Sequence, residues 1–248
     1  MKKNLQDTSG GFTFILHMSI PIDHRKVFVV IPAYNEHAVI RSVVNELLPY
    51  NFHLVIVDDG SEPALYSLLK KLPVSILRHQ VNLGQGAVLQ TGIEYALSKN
   101  AGYIVTFDAD GQHQASDIDN LLIPLVNNEA DIAFGSRFMK GGRHNMAFTR
   151  KVLIQIARFL NYCLTGMMLT DAHNGLRAMN PKAASTIQIR QNGMAHATEL
   201  LTQIKKYNLR YKEVPVSIHY SDYSRKKGQT IWSSFRIFFD LLLNKIFK

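Results

Sequence analysis

The chain has 248 residues, 46% apolar and 19% charged, with 28 Lys+Arg against 19 Asp+Glu for a net charge of +9. That balance excludes a disordered polyelectrolyte and supports one α/β-sized core, with little room for two full domains. A single cysteine, Cys163, excludes an internal disulfide framework and a cysteine-rich zinc site.

Residues 1–25 lack periodicity and read as a poorly ordered leader. Val27 to Ile31 is a short β-branched run that suits a strand buried on both faces, and Pro32 closes it. Helical spacing follows from Glu36 to Leu48, then a second buried strand from His53 to Val57. Pro63 to Lys71 reads as a helix, Val74 to Leu77 as a strand, Gln85 to Lys99 as a helix and Tyr103 to Phe107 as a strand. Ile118 to Asn127 is helical apart from Pro124, and Asp131 to Gly135 is a fifth strand. This alternation predicts a parallel sheet with helices on both faces. Beyond Gly135 the alternation degrades: helices are expected at Thr149 to Leu164 and Ala195 to Lys206, and a strand at Lys212 to His219. The main domain is placed at 26–230. Residues 231–248 carry Ile231, Trp232, Phe235, Phe238, Phe239, Leu242 and Ile246 at helical spacing, an amphipathic segment that suits either an anionic membrane surface or the domain itself.

The basic excess is concentrated. Ten Lys/Arg and three Asp/Glu fall between Gln203 and Lys248, and Arg137 to Arg158 contains six basic residues and no acid. An anionic partner is implied. There is no zinc-finger spacing and no RNP-type run, so nucleic acid is not the expected partner. No uninterrupted apolar stretch of about 18 residues exists, so no spanning helix is expected.

In an open parallel sheet, ligands bind outside the carboxyl ends of the strands. Four strand ends here lead into polar segments: Pro32-Ala33-Tyr34-Asn35-Glu36, Asp58-Asp59-Gly60-Ser61, Asn82-Leu83-Gly84-Gln85-Gly86 and Asp108-Ala109-Asp110-Gly111-Gln112-His113. Alternate residues of extended backbone point to one side, so Asp108 and Asp110 share a target. Two carboxylates so close repel unless a cation lies between them. Oxygen ligands suit Mg2+ or Mn2+, which bridge to substrate phosphates. Rossmann, Walker A, G-x-S-x-G and H-E-x-x-H patterns are all missing from the sequence.

These motifs, in this order, resemble the inverting family 2 glycosyltransferases of the GT-A fold over about residues 26–230. Gly135-Ser136-Arg137-Phe138, Asp171-x-x-x-Gly175-x-Arg177 and Glu199 also fit. The branch most resembled is the dolichyl- or polyprenyl-phosphate sugar transferases, together with bacterial cell-surface polysaccharide enzymes. The resemblance implies a nucleotide-diphospho-sugar donor bound by Pro32, Ala33, Tyr34 and Glu36, with Asp58 or Asp59 reading base or ribose and Asn82 and Gly84 at its border. It implies Asp108, Asp110 and Gln112 as metal ligands, with Asp110, Arg137 and Glu199 in the chemistry. Arg150, Arg177, Arg225, Lys226 and Lys227 would meet phosphate charge on acceptor or leaving group. A polyprenyl phosphate acceptor is already ionised; a glycan hydroxyl would need a base, for which Glu199 or Asp171 stands. The expected location is cytoplasmic, peripheral at the inner face of the membrane, and homo-oligomerisation stays open. Two other readings remain. A nucleotidyltransferase would need a glycine-rich basic signature where Tyr34-Asn35-Glu36 stands. A non-catalytic nucleotide-sugar or membrane-binding module would bind donor without turnover.

Overall fold

The computed structural model describes residues 21–144, 155, 158, 159, 162, 163, 165–172, 174–193 and 195–220. The expected helix at 231–248 and most of the leader lie outside the described residues. Arg150, Arg225, Lys226 and Lys227 lie outside them too.

In chain order the elements are β1 (Val27–Ala33), α1 (Ile40–Leu47), β2 (His53–Asp58), α2 (Tyr66–Leu69), β3 (Ser75–Arg78), α3 (Gln85–Ser98), β4 (Tyr103–Thr106) and α4 (Asp117–Val126). There follow β5 (Ile132–Ser136), β6 (Arg143–His144), β7 (Arg177–Met179), α5 (Pro181–Thr186), α6 (His196–Lys206), β8 (Tyr211–Pro215) and β9 (Ser217–Ile218). Seven strands form one sheet in the order β3-β2-β1-β4-β7-β5-β8, and β6 pairs with β9 separately. Within the large sheet only β7 runs antiparallel to its neighbours.

Strand alternation sorts the core into two layers. Val27, Val29 and Ile31 of β1 face one side with Leu54 and Ile56 of β2; Phe28, Val30, Val55 and Val57 face the other. The first layer is covered by α1, whose Ile40, Val43, Val44 and Leu47 make one helical stripe, and by α4 through Ile118, Leu121, Leu122 and Leu125. The second is covered by α3 and α6, with Val88, Leu89, Ile93, Leu200, Leu201 and Ile204. Helices on both faces of a mostly parallel sheet are the expected architecture. A Cβ on Gly92 would strike Val30, so α3 lies close against β1 and holds its first turn at the sheet's edge.

Several boundaries differ from expectation. The helix expected from Glu36 starts at Ile40, because Asn35 takes φ 56° and the chain first turns through an amide of Ile40 donating to Glu36 O at 2.9 Å. The helix expected over Pro63 to Lys71 is one turn, Tyr66–Leu69. The strand expected from Lys212 to His219 is two: it breaks at Val216, whose amide donates to Ser136 O at 3.0 Å before the chain passes to β9. Pro124 sits inside α4. Part of the expected leader is ordered, as a 3-10 turn at His24–Lys26 with Asp23 accepting from the amide of Arg25. Of the helix expected at Thr149 to Leu164, the described residues 155, 158, 159, 162 and 163 are helical. β7 and α5 follow from no periodicity in the sequence.

Candidate active site

The four polar segments come together at the carboxyl end of β1, β2 and β4, tied by specific hydrogen bonds. Asp59 N donates to Ala33 O at 2.9 Å, and Asn35 N donates to Ser61 Oγ at 2.9 Å. Asn35 Oδ1 accepts from Glu62 N at 3.1 Å. The β2 segment therefore clamps the β1 segment. Pro32 is half-buried, Ala33 and Glu36 are buried, and Tyr34 is 45% exposed at the rim.

Asp58 and Asp59 are both buried and both hold backbone. Asp58 accepts from Ser61 N at 2.9 Å and Leu65 N at 3.1 Å, closing the loop after β2. Asp59 accepts from Leu83 N at 2.9 Å and Gly84 N at 2.8 Å, and its Oδ1 lies 2.8 Å from His79 Nδ1. A carboxylate saturated by amides organises the loops that carry a ligand. Asp59 thus sets the segment bearing exposed Asn82 and half-buried Gly84. Gly84 has φ +100°, and a Cβ there would run into the carbonyl of Asn192. Gly86 N donates to that same carbonyl at 2.8 Å.

Glu199 explains the other side of that contact. Its Oε2 accepts from the amides of Arg190 at 2.9 Å and Gln191 at 2.8 Å. It thereby shapes the 190–193 loop that lies on Gly84 and Gly86. Glu199, expected as an acceptor-side carboxylate, thus accepts two backbone hydrogen bonds beside Gly84 and Gly86.

Asp108 and Asp110 follow β4 and are each half-buried. Asp108 is held on three sides. Gln85 Nε2 donates to Oδ1 at 3.2 Å, His113 Nε2 lies 3.3 Å from Oδ2, and the Cα of Gly175 is so near that a Cβ would overlap the carboxylate. Burial alone pushes the Asp108 carboxyl up, but the His113 hydrogen bond, with the fields of His113, Arg177 and His196, holds it below its usual range. Asp110 shifts the opposite way: burial first, then the charge of Asp108, raise it above the usual carboxylate range. Glu36 adds to that rise, which puts the β1 segment in the same field. Gln112 holds Asp110 twice, by its backbone amide at 3.1 Å and by its side-chain amide. Two carboxylates pushed apart in this way form a site that a divalent cation would relieve. Among the described residues no three His, Cys, Asp or Glu side chains gather into a metal cage. The carboxylates of Asp108 and Asp110 are the residues that would hold a cation here, as hard oxygen ligands.

The arginines divide. Arg137, at the end of β5, is buried against Asp171: its Nε and backbone N donate to Asp171 Oδ2 at 2.6 and 3.1 Å, and its Nη1 donates to Tyr220. Burial lowers the Arg137 guanidinium, but Asp171 and Tyr220 outweigh it and raise it. Asp171 is equally enclosed, and Glu213 accepts from its amide at 3.2 Å. Arg177, on β7, lies buried between Phe134 and the Asp108 end of the site, with its Nε donating to Asn174 O at 3.0 Å. Burial pushes its guanidinium down, and the charges of Asp108 and Asp171 act the other way. Gln85, His113 and Gly175 were not singled out from the sequence as holders of Asp108. All three stand inside the motifs named above, but only the fold reveals their common target.

The sequence model described as Glycosyl transferase family 2 matches residues 28–186. The UDP-N-acetylglucosamine--dolichyl-phosphate N-acetylglucosaminyltransferase of Methanococcus voltae is 34% identical over 243 residues, covering 90% of this chain and 97% of its own. The dolichol-phosphate mannosyltransferase of Pyrococcus furiosus is 29% identical over 230 residues, 88% of this chain and 64% of its own. Glucosyl-3-phosphoglycerate synthase from Mycobacterium tuberculosis, crystallised with Mn2+, UDP and glucosyl-3-phosphoglycerate, superposes with a TM-score of 0.65 at 17% identity. That match covers 88% of this chain and 78% of the other, and it fixes the fold as GT-A.

Proposed function

We propose, for a chain that belongs to glycosyl transferase family 2 and is a glycosyltransferase, that it moves a sugar from a nucleotide-diphospho-sugar to polyprenyl phosphate with inversion, using Mg2+ or Mn2+. The observation that carries the reading is the Asp108–Asp110 pair, with pKa values driven apart, seated where four loops converge. The likeness to a dolichyl-phosphate transferase over almost its whole length supports the acceptor class.

The chain's own residues would divide the work as follows. Tyr34 and Glu36 of the β1 segment, with Asn82 and Gly84, border the nucleotide. Asp58 and Asp59 hold those borders in place through the loop amides. Asp108 and Asp110 present oxygen ligands toward the donor diphosphate. A bound divalent ion would neutralise the charge that grows on the departing nucleoside diphosphate. Arg177 adds positive field beside Asp108. Arg137, enclosed by Asp171 and Tyr220, keeps the loop after β5 in register. A phosphate acceptor attacks as an anion, so no carboxylate base is required, consistent with the engagement of both Glu199 and Asp171 in internal contacts. No helix among the described residues is long and apolar enough to cross a membrane. We place the enzyme at the cytoplasmic face, where its basic segments meet a lipid-borne acceptor.

The test is transfer from radiolabelled UDP-N-acetylglucosamine, UDP-glucose and GDP-mannose to a short polyprenyl phosphate in detergent, with Mn2+ or EDTA. Organic-phase product that requires cation is expected. Turnover undiminished by EDTA removes the metal from the reading; nucleotide binding with no transfer from any donor removes the activity.

A further inference from the structure

We infer that His113 is a positioning residue for the cation site: its Nε2–H holds Asp108 Oδ2 and thereby fixes the direction of the other carboxylate lone pairs. The inference deepens the proposed function and rests on its reading of Asp108 and Asp110 as metal ligands.

His113 is 5% exposed, so its ring is shielded from solvent. Its ring stands edge-on to Phe107, with centroids 5.4 Å apart at 64°. Its one hydrogen-bond partner among the described residues is Asp108, 3.3 Å from Nε2. Its other nitrogen, Nδ1, is buried with no partner among the described residues. The tautomer follows. A proton on Nδ1 would bury a donor with no acceptor, whereas a proton on Nε2 faces a carboxylate. The ring therefore donates from Nε2.

The consequence lies in Asp108. Gln85 takes Oδ1 from the α3 side, the backbone of Gly175 blocks retreat, and His113 takes Oδ2 from below. With one lone pair of each oxygen engaged, the carboxylate cannot rotate without breaking one of these contacts. Outer partners of this kind orient ligands that would otherwise rotate. A ring serving only as apolar filler would need no nitrogen at this place.

The test separates the two ring nitrogens. His113→Gln puts an amide N–H near the Nε2 position; His113→Asn puts one near Nδ1, out of reach of Asp108. The probe is Mn2+ with UDP, read as free Mn2+ by electron paramagnetic resonance and as melting-temperature shift. UDP binding in EDTA checks the fold of each variant. His113→Asn is expected to weaken Mn2+ about 10–100-fold, and His113→Gln to stay within about threefold of the parent. In turnover, His113→Asn should raise the KM for Mn2+ more than it lowers kcat. Equal Mn2+ affinity in the two variants overturns the positioning role and leaves the proposed function standing. A parent protein that binds UDP without any Mn2+ dependence overturns both.

Discussion

Replacing Gly175 with alanine adds one methyl group directly against Asp108. The new Cβ would stand 2.6 Å from Oδ1 and nearer still to Cγ and Oδ2, where real Cβ contacts essentially never fall below 3.0 Å. Gly175 is not among the glycines at positive φ, so alanine brings no backbone strain of its own. The loop cannot easily back away, since Thr106 Oγ1 donates to Gly175 O at 2.6 Å and pins it to β4. The carboxylate must yield instead, by roughly 1 Å, and a misplacement of that size costs on the order of 100-fold in rate. Overpacking of this kind costs about 1–3 kcal/mol of stability. For a chain of this length each kcal/mol lowers the melting temperature by about 2–4 °C. The assay is initial-rate transfer with Mn2+ titrated at saturating donor, beside a thermal melt. Expected is a large loss in kcat/KM with weaker Mn2+ binding, while the protein remains folded at assay temperature. A Gly175→Ala protein with parental kcat/KM and Mn2+ affinity would show that the seat of Asp108 is unimportant and would refute the argument.

Two further outcomes follow from the same geometry. Asp110 keeps its proton above the ordinary carboxyl value of 3.8, so as pH rises through that window the folded chain releases a proton that the unfolded chain has already lost. Metal-free stability therefore falls with rising pH there, while the Mn2+-induced melting shift grows, because the cation replaces the proton; Asp110→Asn should abolish both trends and be no less stable without metal. A Mn2+ shift that is flat across the acid range contradicts this. Glu199→Ala removes the acceptor for the Arg190 and Gln191 amides, so it should raise donor KM about tenfold, equivalent to about 1.4 kcal/mol, and lower the melting temperature. A kcat collapse of about 10²–10⁴-fold at unchanged KM would instead mark a general base.

Much of the fold was open to reading in the chain itself. Residues 27–31, 54–57 and 104–107 are buried runs rich in β-branched side chains, a pattern that double-sided burial requires, and each leads into a polar segment. Repulsion between Asp108 and Asp110 is likewise a property of their spacing. These are local facts: periodicity reports how each residue meets its own strand or helix. What each polar group finally touches is not local. Asp59 is held by amides 24 and 25 residues away, Arg137 meets a carboxylate 34 residues away, and Ile189 N reaches Gln90 across 99. β7 has three residues, one of them Arg177, and becomes a strand only because β4 and β5 leave a gap with free ladder groups on both sides. The sequence therefore determined the sheet, its two apolar faces and the acidic pair at its rim. Only the tertiary structure decided that Asp58, Asp59 and Glu199 hold loops, that Arg137 is enclosed, and that Gln85, His113 and Gly175 aim Asp108, because a carboxylate's role depends on which distant donors the packing brings within about 3 Å.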